Sequence, residues 1–187
     1  ATVKPDGDAM ADALFFGEGE GAVGAIAIAA RDTRGRPKAE RLAAMAEAVD
    51  GFWPAGDLHR TVRRAVAPAE ALATQADAPA PLLPGDEAGT VRLEITRGCT
   101  SRCAFCFEGH DRGRFRAGAT DALLAAARAL KRDAGSSTVE VASLNFNTHP
   151  AITDLLAGLH RGFAVVNAMS QRVDILARTP GLVDLEL

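Results

Sequence analysis

Hydrophobic and polar positions alternate along the first third of the chain in a way that predicts one strand and two helices. Asp12–Phe16 predicts a short buried strand, and the Ala-rich segment after Gly17–Glu20 predicts a helix to about Arg31. Pro37 suits the first position of a second helix, which ends at Gly51. A strand, a glycine-containing turn and a helix together form an α/β unit.

The second half of the chain repeats this alternation. Its helices are predicted to begin at Thr120, as the N-cap residue, and at Pro150, and the first of them ends at Gly135. A shorter helix is predicted over Val173–Arg178. The predicted strands are Thr90–Thr96, Thr138–Phe146, Phe163–Met169 and Leu182–Leu187. Alternating strands and helices predict a parallel sheet, with chemistry at the carboxyl ends of its strands.

A change of composition separates the two halves. Residues 67–89 hold several prolines among scattered Ala, Gly and Asp, which is typical of a semi-extended linker. We therefore predict a first domain over residues 1–66, a linker over 67–89 and a second domain over 90–187.

Charge and hydropathy exclude several classes of partner. Hydrophobic residues make up 48% of the chain and the net charge is −3, so there is no basic field for nucleic acid or anionic lipid. No stretch approaches the roughly 18 apolar residues that a membrane span needs. The first ten residues also lack the layout of a secretion signal. We expect a cytoplasmic protein without a membrane or nucleic-acid partner.

All three cysteines lie in the segment RGCTSRCAFCFEG, residues 97–109. Cys99, Cys103 and Cys106 have the spacing C-x-x-x-C-x-x-C directly after a predicted strand. Clustered thiolates in a reducing compartment favour an iron–sulfur cluster or zinc over disulfides. Three thiolates on a 4Fe–4S cluster leave one iron open for a substrate or cosubstrate. A zinc site that borrows His110, and unrelated free thiols, are the alternatives.

The cysteine segment, with Phe105 before the last cysteine and an Arg-Gly lead-in, resembles the signature of the radical S-adenosylmethionine (radical SAM) superfamily. The resemblance implies that Cys99, Cys103 and Cys106 bind three irons of a 4Fe–4S cluster and that SAM chelates the fourth. It implies reductive cleavage of SAM to a 5′-deoxyadenosyl radical, with an external electron donor such as flavodoxin or ferredoxin. The implied fold is α/β: a partial (β/α) barrel with about four of its six strands.

The same resemblance implies SAM-binding positions at Phe105, Asn145, Asn147 and Arg172. In the family, the second strand commonly ends in a Gly-Gly-Glu-like stretch that contacts the amino group of SAM. Here Ser143–Thr148 reads SLNFNT, so the glutamate role is not carried over. A turn or strand-capping role is the alternative for Asn145 and Asn147. Arg172 lies in SQRVDIL, which resembles an Arg-Val-Asp stretch after the third strand; a surface ion pair is its alternative.

The first half of the chain resembles the last strand–helix portion of the Rossmann-like cobalamin-binding domain that precedes the radical SAM domain in one large group. This implies that Gly17, Glu18, Gly19 and Glu20 lie toward a bound cobalamin. A turn that feeds a helix N-terminus is the alternative. The segment EGHDRG mimics a cobalt-ligand signature but lies in the wrong domain, so His110 is not assigned to cobalt.

Together these resemblances predict an internal fragment of an enzyme, inactive by itself, that acts in cobalamin-dependent methyl transfer or rearrangement. One alternative is a radical SAM methylthiotransferase or oxidative cyclase without cobalamin. The other is a non-enzymatic zinc or iron–sulfur electron-transfer module. No motif identifies the substrate, whether a small molecule or another class.

Overall fold

The computed structural model describes residues 10–57, 59–76 and 89–186. The chain divides into two compact units, Ala1–Ala67 and Pro68–Leu187. Most of the predicted linker, residues 77–88, lies outside the described residues. Within the described ranges, no helix has both the length and the apolar character needed to cross a membrane.

The first unit contains a two-stranded ribbon and two helices. Its elements in chain order are β1 (Ala13–Phe15), α1 (Val23–Asp32), α2 (Lys38–Ala48) and β2 (Phe52–Pro54). They include the predicted strand and both predicted helices. β1 and β2 pair antiparallel, with Leu14 opposite Trp53. Because a Rossmann-like sheet is mostly parallel, this ribbon gives no support, within the described residues, to the Rossmann-like assignment.

The second unit is a mixed α/β structure built on a parallel sheet. Its elements in chain order are β3 (Thr90–Glu94), β4 (Thr96–Arg97), α3 (Phe107–Asp111), β5 (Arg116–Ala117), α4 (Thr120–Ala134), β6 (Thr138–Ala142), α5 (Ile152–His160), β7 (Val165–Ala168), α6 (Val173–Leu176) and α7 (Leu182–Glu186). The parallel sheet has the order β3-β6-β7, with β6 in the centre. Two 3-10 helices, Ala69–Ala76 and Phe146–Thr148, complete the unit.

The core of the second unit lies against one face of this sheet. On β3, Val91 and Leu93 are buried while Thr90 and Arg92 are exposed, which is the period of two that the sequence predicts. The helices contribute apolar stripes at helical spacing: Leu123, Ala126, Ala127 and Leu130 from α4, and Ile152, Leu155, Leu156 and Leu159 from α5. Each fully buried Leu or Ile contributes roughly 1.5–3 kcal/mol relative to an exposed one.

The prediction of a last strand over Leu182–Leu187 is wrong, because residues Leu182–Glu186 form the helix α7. Leu182 is fully buried and Leu185 packs against the same core, and three residues apart is a helical spacing that places both on one face. The described parallel sheet therefore has three strands instead of about four, and these strands do not form a barrel.

Several element boundaries differ from the predictions, as the following three show. Ala119 is the N-cap of α4 and Thr120 is its first residue, with no side-chain capping bond, whereas Gly135 ends the helix at φ +63° as predicted. The second predicted strand stops at Ala142, because Ser143 accepts a hydrogen bond from the Asn145 backbone and turns the chain. α5 begins at Ile152, two residues after Pro150, with Ala151 as its N-cap.

The start of the predicted linker belongs to the core of the second unit. Ala69–Ala76 is a 3-10 helix whose Leu72 is buried in the main hydrophobic cluster. The Gln75 amide both donates to and accepts from the backbone of Glu94, at 2.7 Å in each case. These bonds pair the backbone N–H and carbonyl of Glu94 on the outer edge of β3, where they would otherwise be available to hydrogen-bond another strand.

Candidate metal centre at the carboxyl edge of the sheet

The three cysteines lie on a closed loop that leaves the end of β3 and returns beside it. β4 and β5 pair antiparallel, with Thr96 opposite Ala117. The Gly118 N–H donates to the Ile95 carbonyl at 3.0 Å directly beyond this pairing. The ribbon closes residues 98–115 into one unit, which we call the cysteine loop.

Gly98 explains the Arg-Gly lead-in to the cysteine loop. Its φ is +73°, and a Cβ at this position would lie 2.5 Å from the Arg114 carbonyl oxygen. The outgoing and returning chains therefore approach one another so closely that only glycine fits. This crossing holds the loop closed at its base.

Within the loop the three cysteines are free and differ in exposure. Cys103 is exposed, whereas Cys99 and Cys106 are half-buried. The Cys106 sulfur caps α3 by accepting the Gly109 N–H at 3.4 Å. The Cys99 sulfur accepts the Ser101 N–H, also at 3.4 Å. Hydrogen bonds to sulfur are among the interactions that tune thiolate-bound iron.

The thiols have suitable chemistry for a soft metal centre but are not drawn together. Within residues 10–57, 59–76 and 89–186, no group of three or more His, Cys, Asp or Glu side chains is arranged to hold a metal ion. Three free thiols on one closed loop nevertheless form the donor set that soft centres prefer. Binding would bring the sulfurs together within the loop, where Cys103 is already exposed.

The His110 ring contacts the backbone of the cysteine loop. Its Nε2 lies 3.2 Å from the Cys103 carbonyl oxygen, and the side chain is exposed. In this position the imidazole fastens α3 to the middle of the cysteine loop. The structure therefore gives the zinc alternative, in which His110 supplies the fourth ligand, no direct support.

The end of β6 is tied to the end of β3 and to the cysteine loop. The Thr96 and Ser143 hydroxyls are 2.6 Å apart, and the Asn145 backbone N–H donates to Ser143 Oγ at 3.1 Å. The Asn145 Nδ2 then donates to the Cys99 sulfur at 3.4 Å. Of the two asparagines predicted to bind SAM, Asn145 is the one that contacts a cysteine.

Asn147 has a different environment. It is 2% exposed, its Nδ2 donates to the Arg172 carbonyl at 2.8 Å, and its Oδ1 accepts the Arg172 N–H at 2.9 Å. These bonds join the turn after β6 to the turn after β7. They correspond to the structural alternative for Asn147, and its contact with SAM stays a prediction.

Arg172 brings the end of β7 to the cysteine loop. Its guanidinium donates to the hydroxyl of Ser101, which stands between the first two cysteines. It also bonds Asp174, with Nε 3.0 Å from Oδ1. The pKa of Arg172 is raised chiefly by the hydrogen bond and charge of Asp174, with smaller contributions from Cys103 and Cys99. The pKa of Asp174 is lowered chiefly by the hydrogen bond from Arg172.

Phe105 stands apart from these contacts. Its ring is 92% exposed, and that of Phe107 is 74% exposed. The structure therefore does not bring Phe105 together with Asn145 or Arg172. Both rings lie on the cysteine loop and are not buried by any part of the described chain. Their faces are therefore accessible to a ligand or to another surface.

Sequence reasoning missed the residue that anchors the return of the loop. His149 is buried; its Nε2 lies 2.9 Å from the Gly118 carbonyl, and its Nδ1 accepts the Ala151 N–H at 3.2 Å. These partners fix a neutral ring with the proton on Nε2. Burial lowers the pKa of His149 below its ordinary value. A histidine followed by proline at the start of a helix was the only signal in the sequence.

A cavity of about 390 Å³ lies beside the cysteine loop. Thr100 from the loop, Asn147 and His149 from the turn after β6, and Thr179 beyond α6 contribute to its lining. Its volume falls in the range of small-molecule sites. The cavity therefore gives the carboxyl edge of the sheet space for a ligand beside Thr100 of the cysteine loop.

In the first unit, the Gly17–Glu20 turn closes against its own chain. Gly17 has φ +122°, and a Cβ there would lie 2.2 Å from the Ala65 carbonyl oxygen. The Glu18 N–H donates to that same oxygen at 3.0 Å, and the Glu18 carboxylate accepts the Ala67 N–H at 2.6 Å. These contacts correspond to the turn alternative. Cobalamin contacts of Gly17, Glu18, Gly19 and Glu20 stay a prediction.

A scan against protein-family models found no match to this chain, and a search of curated proteins found none either. The resemblance to radical SAM proteins therefore rests on the cysteine motif and its neighbours. The geometry adds the position of that motif at the carboxyl edge of a parallel sheet.

Proposed function

We propose that Cys99, Cys103 and Cys106 bind a 4Fe–4S cluster and that the chain is part of a radical SAM enzyme. The observation that carries this proposal is the C-x-x-x-C-x-F-C motif on a closed loop that is contacted from the ends of the other two strands of the sheet, β6 and β7. When bound, the cluster and SAM supply the reductive cleavage of a carbon–sulfur bond, which yields methionine and a 5′-deoxyadenosyl radical. The chain's own residues hold, orient and shield these groups.

The cysteine loop would hold the cluster through three thiolates and leave one position open. Backbone N–H groups of Ser101 and Gly109 already donate to the sulfurs of Cys99 and Cys106. Such donors stabilise negative charge on thiolates. The closed base at Gly98 limits how far the loop can open, which favours a compact centre over three independent thiols.

Residues around the loop provide contacts for SAM. The Arg172 guanidinium is a fixed positive charge beside the loop and suits the carboxylate of SAM. The exposed Phe105 ring provides a face for stacking on a planar base. The cavity beside Thr100 provides space at the same edge of the sheet. Asn145 and Asn147 complete the proposed SAM-binding set.

Finer parts of the proposal concern the rest of the enzyme. They are cobalamin-dependent methyl transfer or rearrangement, with Gly17–Glu20 toward the corrinoid, an external donor such as flavodoxin or ferredoxin, and a cytoplasmic location. Corrinoid absorbance in the anaerobically purified full-length protein tests the cobalamin part. Its absence would favour a radical SAM methylthiotransferase or oxidative cyclase.

Metal analysis tests the central proposal. After anaerobic reconstitution we expect about four irons and four sulfides per chain. Cys99→Ser, Cys103→Ser and Cys106→Ser should each abolish the brown chromophore, because each removes one of three protein ligands. His110→Ala is the matched control and should retain it. One zinc per chain, with neither iron nor sulfide, would contradict the proposal and favour the zinc module.

SAM binding provides a second measurement. Addition of SAM to the dithionite-reduced protein should change the electron paramagnetic resonance spectrum of the cluster, since SAM is proposed to bind the open iron. Arg172→Met should weaken this effect while iron and sulfide content stays at the wild-type level. We expect little SAM turnover by these 187 residues alone, and robust turnover would contradict the prediction that the fragment is inactive.

A further inference from the structure

Asn145 differs from the other donors to cysteine sulfur. In the described part of the chain, the hydrogen bonds from Ser101 and Gly109 to cysteine sulfurs come from the backbone. The bond from Asn145 Nδ2 to Cys99 comes from a side chain 46 residues away in sequence. Cys99 is thus held both by its own loop and by the turn after β6.

The backbone of Asn145 is held in place by the turn that carries it. Its backbone N–H donates to Ser143 Oγ at 3.1 Å, and its carbonyl accepts the Thr148 hydroxyl at 2.7 Å. Ser143 is in turn bonded to Thr96 at the base of the cysteine loop. These contacts fix the backbone on both sides of Asn145, and from this backbone the side-chain amide reaches the Cys99 sulfur.

We infer that Asn145 is a positioning residue that raises the reduction potential of the cluster through its N–H···S bond to Cys99. This inference rests on the proposed function. Reduction by one electron from a low-potential donor adds negative charge to the thiolate-bound centre. An N–H dipole whose positive end faces a thiolate sulfur stabilises the more negative state, and hydrogen bonds to sulfur are a recognised determinant of cluster potential.

The test measures the midpoint potential of the reconstituted 187-residue chain by titration with dithionite under electron paramagnetic resonance. Asn145→Leu removes the donor at similar size, and Asn145→Asp replaces it with a charged acceptor of the same shape. Both variants should have a more negative potential than the wild type, and the shift should be larger for Asp. Thr148→Val is the matched control: it removes one side-chain hydrogen bond from the same turn, while the Thr148 backbone N–H still donates to the Asn145 carbonyl at 3.1 Å and holds the turn.

The outcomes separate this inference from the proposed function. A cluster with wild-type iron and sulfide content and an unchanged potential in both Asn145 variants would overturn the inference and leave the proposed function standing. A shift in Thr148→Val as large as that in Asn145→Leu would also overturn it, because general disturbance of the turn would then suffice. Failure of the wild-type chain to bind iron would overturn both. If Asn145→Leu cannot hold the cluster, Asn145→Ala decides, because it also removes the donor and adds no charge.

Discussion

The two units each contain a strand followed by a glycine-led turn, and these turns use their side chains in different ways. Gly17 and Gly98 both have positive φ, and both lie against a carbonyl oxygen with no room for a Cβ. After Gly17, the Glu18 carboxylate bonds back to the Ala67 backbone. After Gly98, the Cys103 side chain is exposed, and within the described part of the chain its sulfur receives no such contact.

This difference separates residues that the fold requires from residues that it does not. Close backbone approach accounts for both glycines without any ligand, and a capping bond accounts for Glu18. Cys106 does occupy the N-cap of α3, but Ser, Thr, Asp and Asn are the residues preferred there. Capping therefore does not explain the choice of cysteine, and no packing role explains Cys103. The thiols are the side chains for which a function has to be sought.

Gly17→Ala should give the largest loss of stability. Its Cβ would lie 2.2 Å from a backbone oxygen at φ +122°, so the first unit should lose about 2–4 kcal/mol from combined strain and overlap. Trp53 is the single tryptophan of the chain, and its fluorescence during urea unfolding reports this unit. Gly35→Ala is the control: φ is +88° there with nothing within 4 Å, and it should cost only about 1–2 kcal/mol. Equal losses would show that contact with Ala65 is unimportant.

Gly98→Ala tests the same argument in the second unit. A Cβ 2.5 Å from the Arg114 oxygen should open the base of the cysteine loop at a cost of about 2–3 kcal/mol. Hydrogen exchange of the Gly118 amide, which bonds Ile95, should speed up accordingly. Gly135→Ala, at φ +63° with free space around it, should leave that amide protected. Unchanged exchange in Gly98→Ala would contradict the closed-base description.

Local patterns predicted most of the secondary structure but did not resolve the ends of elements. The alternation of apolar Val91 and Leu93 with polar residues predicted β3, and the apolar residues at helical spacing predicted α4, because each pattern extends over several periods. Leu182–Glu186 is too short to distinguish the two periods, and burial of Leu182 against the core decides for a helix. Prolines among scattered Ala, Gly and Asp predicted a linker that includes Leu72, but this side chain packs into the core of the second unit.

The candidate site was predictable in its cysteines and not in its supporting contacts. The motif and its position after a strand placed Cys99, Cys103 and Cys106 at the carboxyl edge of the sheet. The bond from Asn145 to Cys99 and the pair of bonds between Asn147 and Arg172 join segments 46 and 25 residues apart. Such contacts depend on how the strand ends meet, which no local pattern contains.

Glu18→Ala should destabilise the first unit less than Gly17→Ala does, and it tests whether the Glu18 carboxylate holds the turn. Loss of the carboxylate that accepts the Ala67 N–H should destabilise the first unit by about 1–2 kcal/mol, since a partly buried donor loses a charged acceptor. Trp53 fluorescence in urea again provides the measurement. Glu47→Ala, at an exposed position of α2, should change the unfolding midpoint little. If both variants behave alike, the turn is not held by Glu18, and a ligand role for this carboxylate gains weight.

His149 provides the smallest effect, a pH dependence confined to the second unit. Burial lowers its folded-state pKa below the ordinary 6.5, so the folded state favours the neutral ring. Below about pH 6.5 the unfolded chain therefore binds more protons, and the stability contributed by this residue is lost as the pH falls through that value toward the folded pKa.

His149→Gln retains an amide donor for the Gly118 carbonyl and should flatten the dependence of the urea midpoint on pH, measured by circular dichroism. An unaltered slope in His149→Gln would mean that the return of the cysteine loop is not anchored by a neutral imidazole, and the anchoring would then rest on the Gly118–Ile95 bond.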